Sequence, residues 1–141
     1  MSHLPSVAVV GLGSMGLGMA RSLVRAGHLV RGFDISADAL NALEAAGGTP
    51  RANPGDAVAG ADVAVIVVVN AAQTETVLFG EGGAAAALRK GGLVMQCATV
   101  PPAFAKSLGE RLAGGGHQLL DAPMSGGRAR AESGELTFMA S

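Results

Sequence analysis

Gly11-Leu12-Gly13-Ser14-Met15-Gly16 follows the apolar run Val7 to Val10 and precedes residues with helical spacing. In that setting each glycine has its own task. Gly11 makes the tight turn from strand to helix, Gly13 admits a pyrophosphate, and Gly16 lets helix and strand pack closely. The unpaired N–H groups at the start of the helix, at the positive end of its dipole, then stabilise phosphate charge without a side-chain cation. Asp34 ends the second apolar run, where a carboxylate accepts hydrogen bonds from adenosine ribose hydroxyls. Its charge repels a 2′-phosphate, and Ile35 and Ser36 supply no arginine to hold one. The expected cofactor is therefore NAD rather than NADP, although Arg31 lies close enough in sequence to weaken that preference. With 22 glycines among 141 residues, a bare G-x-G-x-x-G match carries little. The strand before it, the helix after it and Asp34 give it weight. The bland alternative makes the glycines a plain turn and Asp34 a helix cap or a solvated residue.

Three further loops carry groups suited to the same chemistry. Val69 and Asn70 end the most apolar stretch of the chain, at the carboxyl end of a central strand, where open α/β sheets bind ligands. Asn70 equally suits ordinary strand termination. Thr99 follows another strand end and precedes Pro101-Pro102, so its hydroxyl is a candidate for the nicotinamide end of a dinucleotide or, alternatively, a turn or cap residue. Ser125-Gly126-Gly127 offers a hydroxyl and unobstructed N–H groups, a backbone nest for a carboxylate or simply a turn. Arg128 and Arg130 read as solvated charges and Cys97 as a buried strand residue.

The elements that position these loops alternate. Strands are expected at Val7 to Val10, Leu29 to Phe33, Val63 to Val69, Leu93 to Cys97 and around Leu119-Leu120, with a small one within Thr49 to Ala52 and a closing one at Leu136 to Met139. Helices are expected after Gly13, after Ser36 to the stop at Gly47-Gly48, from Asn53-Pro54 to Gly60, in pieces from Ala71 to Leu88, and from Pro101-Pro102 toward Leu112. Gly126 to Gly134 reads as a loop or surface helix. Strands alternating with helices give an α/β fold, a Rossmann-type doubly wound, mostly parallel sheet with helices on both faces.

Composition narrows the classes of partner. At 49% hydrophobic and 15% charged the chain suits one globular domain, and a net charge of −1 without like-charge runs gives no footprint for nucleic acid or an anionic membrane. No apolar run approaches a membrane span. His3, His28 and His117 are scattered and Cys97 is single, so neither a metal site nor an internal disulfide is expected, and a reducing cytoplasm fits.

The opening fingerprint followed by Met19-Ala20, together with Asp121-Ala122-Pro123-Met124-Ser125-Gly126-Gly127, resembles the 3-hydroxyacid dehydrogenase family along the whole chain. Val68 to Gln73, Cys97 to Pro102 and Gly134 to Thr137 look most like its L-threonate-oxidising branch. The resemblance implies hydride transfer from C2 of L-threonate to NAD, giving 2-dehydro-L-erythronate, with Ser125, Gly126 and Gly127 binding the substrate acid group. Sister activities on 3-hydroxyisobutyrate or tartronate semialdehyde remain open, as does a non-catalytic nucleotide sensor. Alcohol oxidation needs a base for the hydroxyl proton. The family's lysine lies on a second, all-helical domain that also drives dimerisation. Lys90 and Lys106 do not match that motif. Residues 1–141 are thus expected to be the NAD-binding domain, with the catalytic lysine beyond Ser141, the isolated chain inactive and the longer enzyme a homo-oligomer.

Overall fold

A computed structural model describes residues 4–125 and 137–138. The chain runs β1 (Val7–Val10), α1 (Ser14–Arg25), β2 (Val30–Phe33), α2 (Ala37–Ala45), β3 (Thr49–Pro50), α3 (Pro54–Val58) and β4 (Val63–Ile66). It continues through α4 (Ala71–Phe79), α5 (Ala84–Ala87), β5 (Leu93–Gln96), α6 (Pro102–Gly114), β6 (Gln118–Asp121), β7 (Met124–Ser125) and β8 (Thr137–Phe138). Six strands form a parallel sheet in the order β3-β2-β1-β4-β5-β6, and β7 pairs antiparallel with β8. This is the doubly wound arrangement expected from the sequence, with its change of direction between β1 and β4.

Alternation along the strands divides the core. Ala8 and Val10, with Ala64, Ile66 and Val94, face one layer, which also holds Val58, Leu78, Leu108 and Leu112 of α3, α4 and α6. Val7, Val9 and Val65 face the other, with Met19 and Ala20 of α1 and Leu43 of α2. β1 is buried on both sides because helices cover both faces, which explains its unbroken apolar sequence.

Side-chain oxygens fix several helix starts. Ser36 accepts from Ala39 N–H, Asn53 from Asp56 N–H and Asn70 from Gln73 N–H, each satisfying a donor that the first turn leaves unpaired.

Strand limits differ from the sequence expectation at β2, at β4 and at β5, which stops at Gln96 rather than Cys97. The run Val63 to Val69 stays in the sheet only to Ile66. β1 ends at Val10, so after Val67 N–H pairs with Val10 C=O nothing on that side continues the ladder, and Val69 ends 78% exposed. Leu29 precedes β2 with its side chain 78% exposed, although its carbonyl accepts from Val7 N–H. The expected loop or helix from Gly126 to Gly134 lies outside the described residues, and of the expected closing strand only Thr137–Phe138 is described, as β8.

Candidate functional site

A cleft of about 560 Å³ opens at the carboxyl ends of β1, β2 and β4, where the sheet order reverses. Its volume suits a small-molecule site. Gly11 and Gly13 line it, together with Asp34, Val69, Asn70 and Gln73.

The three glycines answer to different demands. Gly11 has φ +98°, and a Cβ there would collide with the Val67 carbonyl. A Cβ on Gly16 would collide with the Gly11 carbonyl, so this glycine permits the contact between α1 and the turn. Gly13 has an ordinary negative φ and nothing within 4 Å of where a Cβ would stand. No protein neighbour requires glycine at 13, and the open space beside it faces the cleft it lines. Gly13 is also the N-cap of α1, so the first N–H groups of the helix, which have no intrahelical partner, receive no side-chain cap from it. An open cradle beside unpaired donors suits an anionic group such as a pyrophosphate.

Leu12, Ser14 and Met15 have distinct surroundings within the turn. The Leu12 side chain is buried in the core, and its N–H donates to Asp34 Oδ2 at 2.7 Å. Ser14 is exposed at the first position of α1, and Met15 packs partly against the α1 and α2 side of the core.

Asp34 is fixed from both sides, its Oδ1 accepting from Ser36 N–H at 2.8 Å. Each carboxylate oxygen keeps lone-pair capacity for a ligand hydroxyl. The neighbouring Ile35 is 96% exposed, and Val69 stands exposed on the same cleft, so two apolar side chains flank it in water. Arg31, the residue that weakened the preference for NAD, carries its guanidinium to Gly60, by the amino-terminal start of β4. It lies at the opposite end of the sheet from Asp34.

Two glutamines escaped the sequence analysis. Gln73 Oε1 accepts from Val69 N–H at 2.8 Å, which directs its amide donors elsewhere on the cleft wall. Gln96, wholly buried at the end of β5, bonds to the loop at Ala98 and to Asp121. A polar residue at an inward strand position was the available signal.

Thr99 is exposed just beyond β5 and does not line the cleft. Ser125 belongs to β7, while Gly126 and Gly127 lie outside the described residues. Lys90 lies in the turn after α5, again at the far end of the sheet, and Lys106 is exposed on α6. Burial, aided by the negative charge of Asp121, pushes the Cys97 thiol up to about 12, which leaves it protonated and unreactive at neutral pH. Among the described residues there is no cluster able to hold a metal ion, and no helix is long and apolar enough to cross a membrane.

Residues 6–141 match the family described as the NAD binding domain of 6-phosphogluconate dehydrogenase. An L-threonate dehydrogenase of Cupriavidus necator is 53% identical over 136 residues, 96% of this chain and 46% of the relative. An NAD-dependent L-serine dehydrogenase of Pseudomonas aeruginosa is 38% identical, over 96% of this chain and 46% of its own length. The crystal structure of a 3-hydroxyisobutyrate dehydrogenase from Salmonella typhimurium superposes with a TM-score of 0.91 at 41% identity, covering 97% of this chain and 48% of that one. The chain thus spans about half the length of the curated relatives it matches.

Proposed function

Since the chain belongs to the family of the NAD binding domain of 6-phosphogluconate dehydrogenase, the cofactor-binding half of hydroxyacid dehydrogenases, we propose that it serves an NAD-dependent oxidation of L-threonate. The observation that carries the cofactor assignment is the pairing of the open Gly13 cradle with the fixed carboxylate of Asp34 in one cleft. In this reading the N–H groups at the start of α1 hold the pyrophosphate, and Asp34 accepts from the adenosine ribose. Ile35 and Val69 supply apolar surface for the adenine, while Thr99 borders the nicotinamide. Ser125, Gly126 and Gly127 hold the substrate carboxylate. The bound nicotinamide supplies the hydride acceptor.

The named relatives support L-threonate as the substrate, and the L-serine and 3-hydroxyisobutyrate enzymes support one cofactor half shared among several hydroxyacids. Discrimination among those acids then belongs to the remaining half of such enzymes, with the proton-transfer lysine and the surface for homo-oligomerisation. A cytoplasmic location fits the single, buried Cys97, which has no second cysteine among the 141 residues to pair with.

Titration with NADH and NADPH, beside a rate assay on L-threonate, tests the reading. NADH is expected to bind at least about tenfold more tightly than NADPH, because a 2′-phosphate would meet the Asp34 carboxylate. The 141-residue chain is expected to show no turnover. Failure to bind either nucleotide would overturn the cofactor assignment, and robust turnover would overturn the need for a second half. In the longer enzyme, a higher kcat/KM for another hydroxyacid than for L-threonate would overturn the substrate.

A further inference from the structure

Gln96 is the last residue of β5, and its side chain has no exposure to solvent. Its Nε2 donates to Ala98 C=O at 2.9 Å and to Asp121 Oδ1 at 2.8 Å, while its Oε1 accepts from Ala98 N–H at 2.5 Å. The orientation of the carboxamide is fixed by these partners, since reversing it would set an acceptor against a carbonyl and a carboxylate. The main chain adds a fourth tie, Ala122 N–H to Gln96 C=O at 2.8 Å.

β5 does not need this side chain for pairing, because its backbone already bonds β4 and β6. Val94, on the same strand, meets the core with an apolar side chain. Burying a carboxamide is unfavourable unless its hydrogen bonds are made, and these all go to the two chain segments that leave the sheet here. One leads through Ala98 to Thr99. The other leaves β6 at Asp121 and leads through Ala122 and Pro123 to β7.

We propose that Gln96 is a positioning residue, clasping the loop after β5 to the segment after β6 so that the nicotinamide end of the cofactor meets a preformed surface. The proposal rests on the cofactor reading above. Asp34 directly follows β2, three strand spacings from β5, on the order of 14 Å across the sheet. Loss of the clasp therefore acts on the far end of a dinucleotide and spares the end held by Asp34.

That asymmetry gives the test. In the protein at its full encoded length, Gln96→Leu is expected to weaken NADH binding about tenfold while the affinity for ADP-ribose, which lacks the nicotinamide, stays within about twofold. Asp121→Asn keeps an acceptor for Gln96 and should retain near-original NADH affinity, whereas Asp121→Leu should behave like Gln96→Leu. Should Gln96→Leu fail to fold, Asp121→Leu gives the same comparison, since it breaks the link from the other side and leaves the β5 backbone intact. Equal losses for NADH and ADP-ribose would reduce Gln96 to a packing role and overturn the proposal, as would unchanged NADH affinity. An unsubstituted protein that binds neither ligand would overturn the cofactor reading and this proposal together.

Discussion

An alanine at position 13 would set its Cβ in the open cleft, whereas one at position 16 would drive its Cβ into the Gly11 carbonyl. The two substitutions are chemically identical and should separate stability from binding. Gly16→Ala is expected to cost about 1–3 kcal/mol through overpacking, read as a lower Tm. Gly13→Ala should keep its Tm and lose NADH affinity about tenfold or more, because its methyl group fills space meant for phosphate. A large Tm loss for Gly13→Ala would mean that the fold, not a ligand, demands this glycine. Both glycines are visible in the sequence, and so is Asp34. Their separate duties are legible there too, whereas the Gly11 carbonyl that stands against Gly16 is not, because only the folded turn brings it there.

The starts of β1 and β4 are pinned at the end of the sheet opposite the cleft. Ser6 N–H, just before β1, donates to Asp62 Oδ2 at 2.9 Å, and Arg89, ahead of β5, reaches Asp62 Oδ1 at 3.0 Å. The Ser6 N–H first, and then the Arg89 guanidinium, hold the Asp62 carboxyl below its usual 3.8. A depressed carboxyl pKa stabilises the fold above the unfolded-state value, and that contribution is lost as pH falls through the folded-state value. Asp62→Asn should therefore lower Tm slightly at pH 7, the pin being solvent-exposed. The gap from the unsubstituted protein should close as the solution is acidified below pH 3.8. A gap that persists unchanged in acid would show that charge is not the cause. The helix cap Asn53 is legible because cap and recipient are three residues apart; Asn70, expected as a strand end, caps α4 at the same spacing. Asp62 with Ser6, and Gln96 with Asp121, are not legible, because the fold brings distant segments together. β4 stops short of the expected Val69 for the same reason: its neighbour β1 ends there, and β-branched composition carries no record of that.

The six-stranded parallel sheet, with layers on both faces, was legible as a class from its alternating elements, while the strand order emerges only from pairing. Its cleft sits on the junction of the two halves. A nucleotide that binds only the folded chain stabilises it by about 2.7 kcal/mol at a hundredfold excess over Kd. For a domain of this size that should raise Tm by roughly 5–10 °C. ADP-ribose should produce most of the rise if Asp34 and the glycine turn dominate. Absence of any shift with either ligand would count against a cleft-bound nucleotide. The floor of that cleft is the β1–β4 pair, in which Val7 stands beside Val63, so the chain must close a long loop through β2, α2, β3 and α3 before the floor exists. Closure of that size is paid before its contacts reward it, and such non-local pairing forms slowly. The nucleotide accordingly finds nothing to hold on a chain that is only part-way folded. A nucleotide bound there would act as a latch on a finished fold rather than as a template for making one.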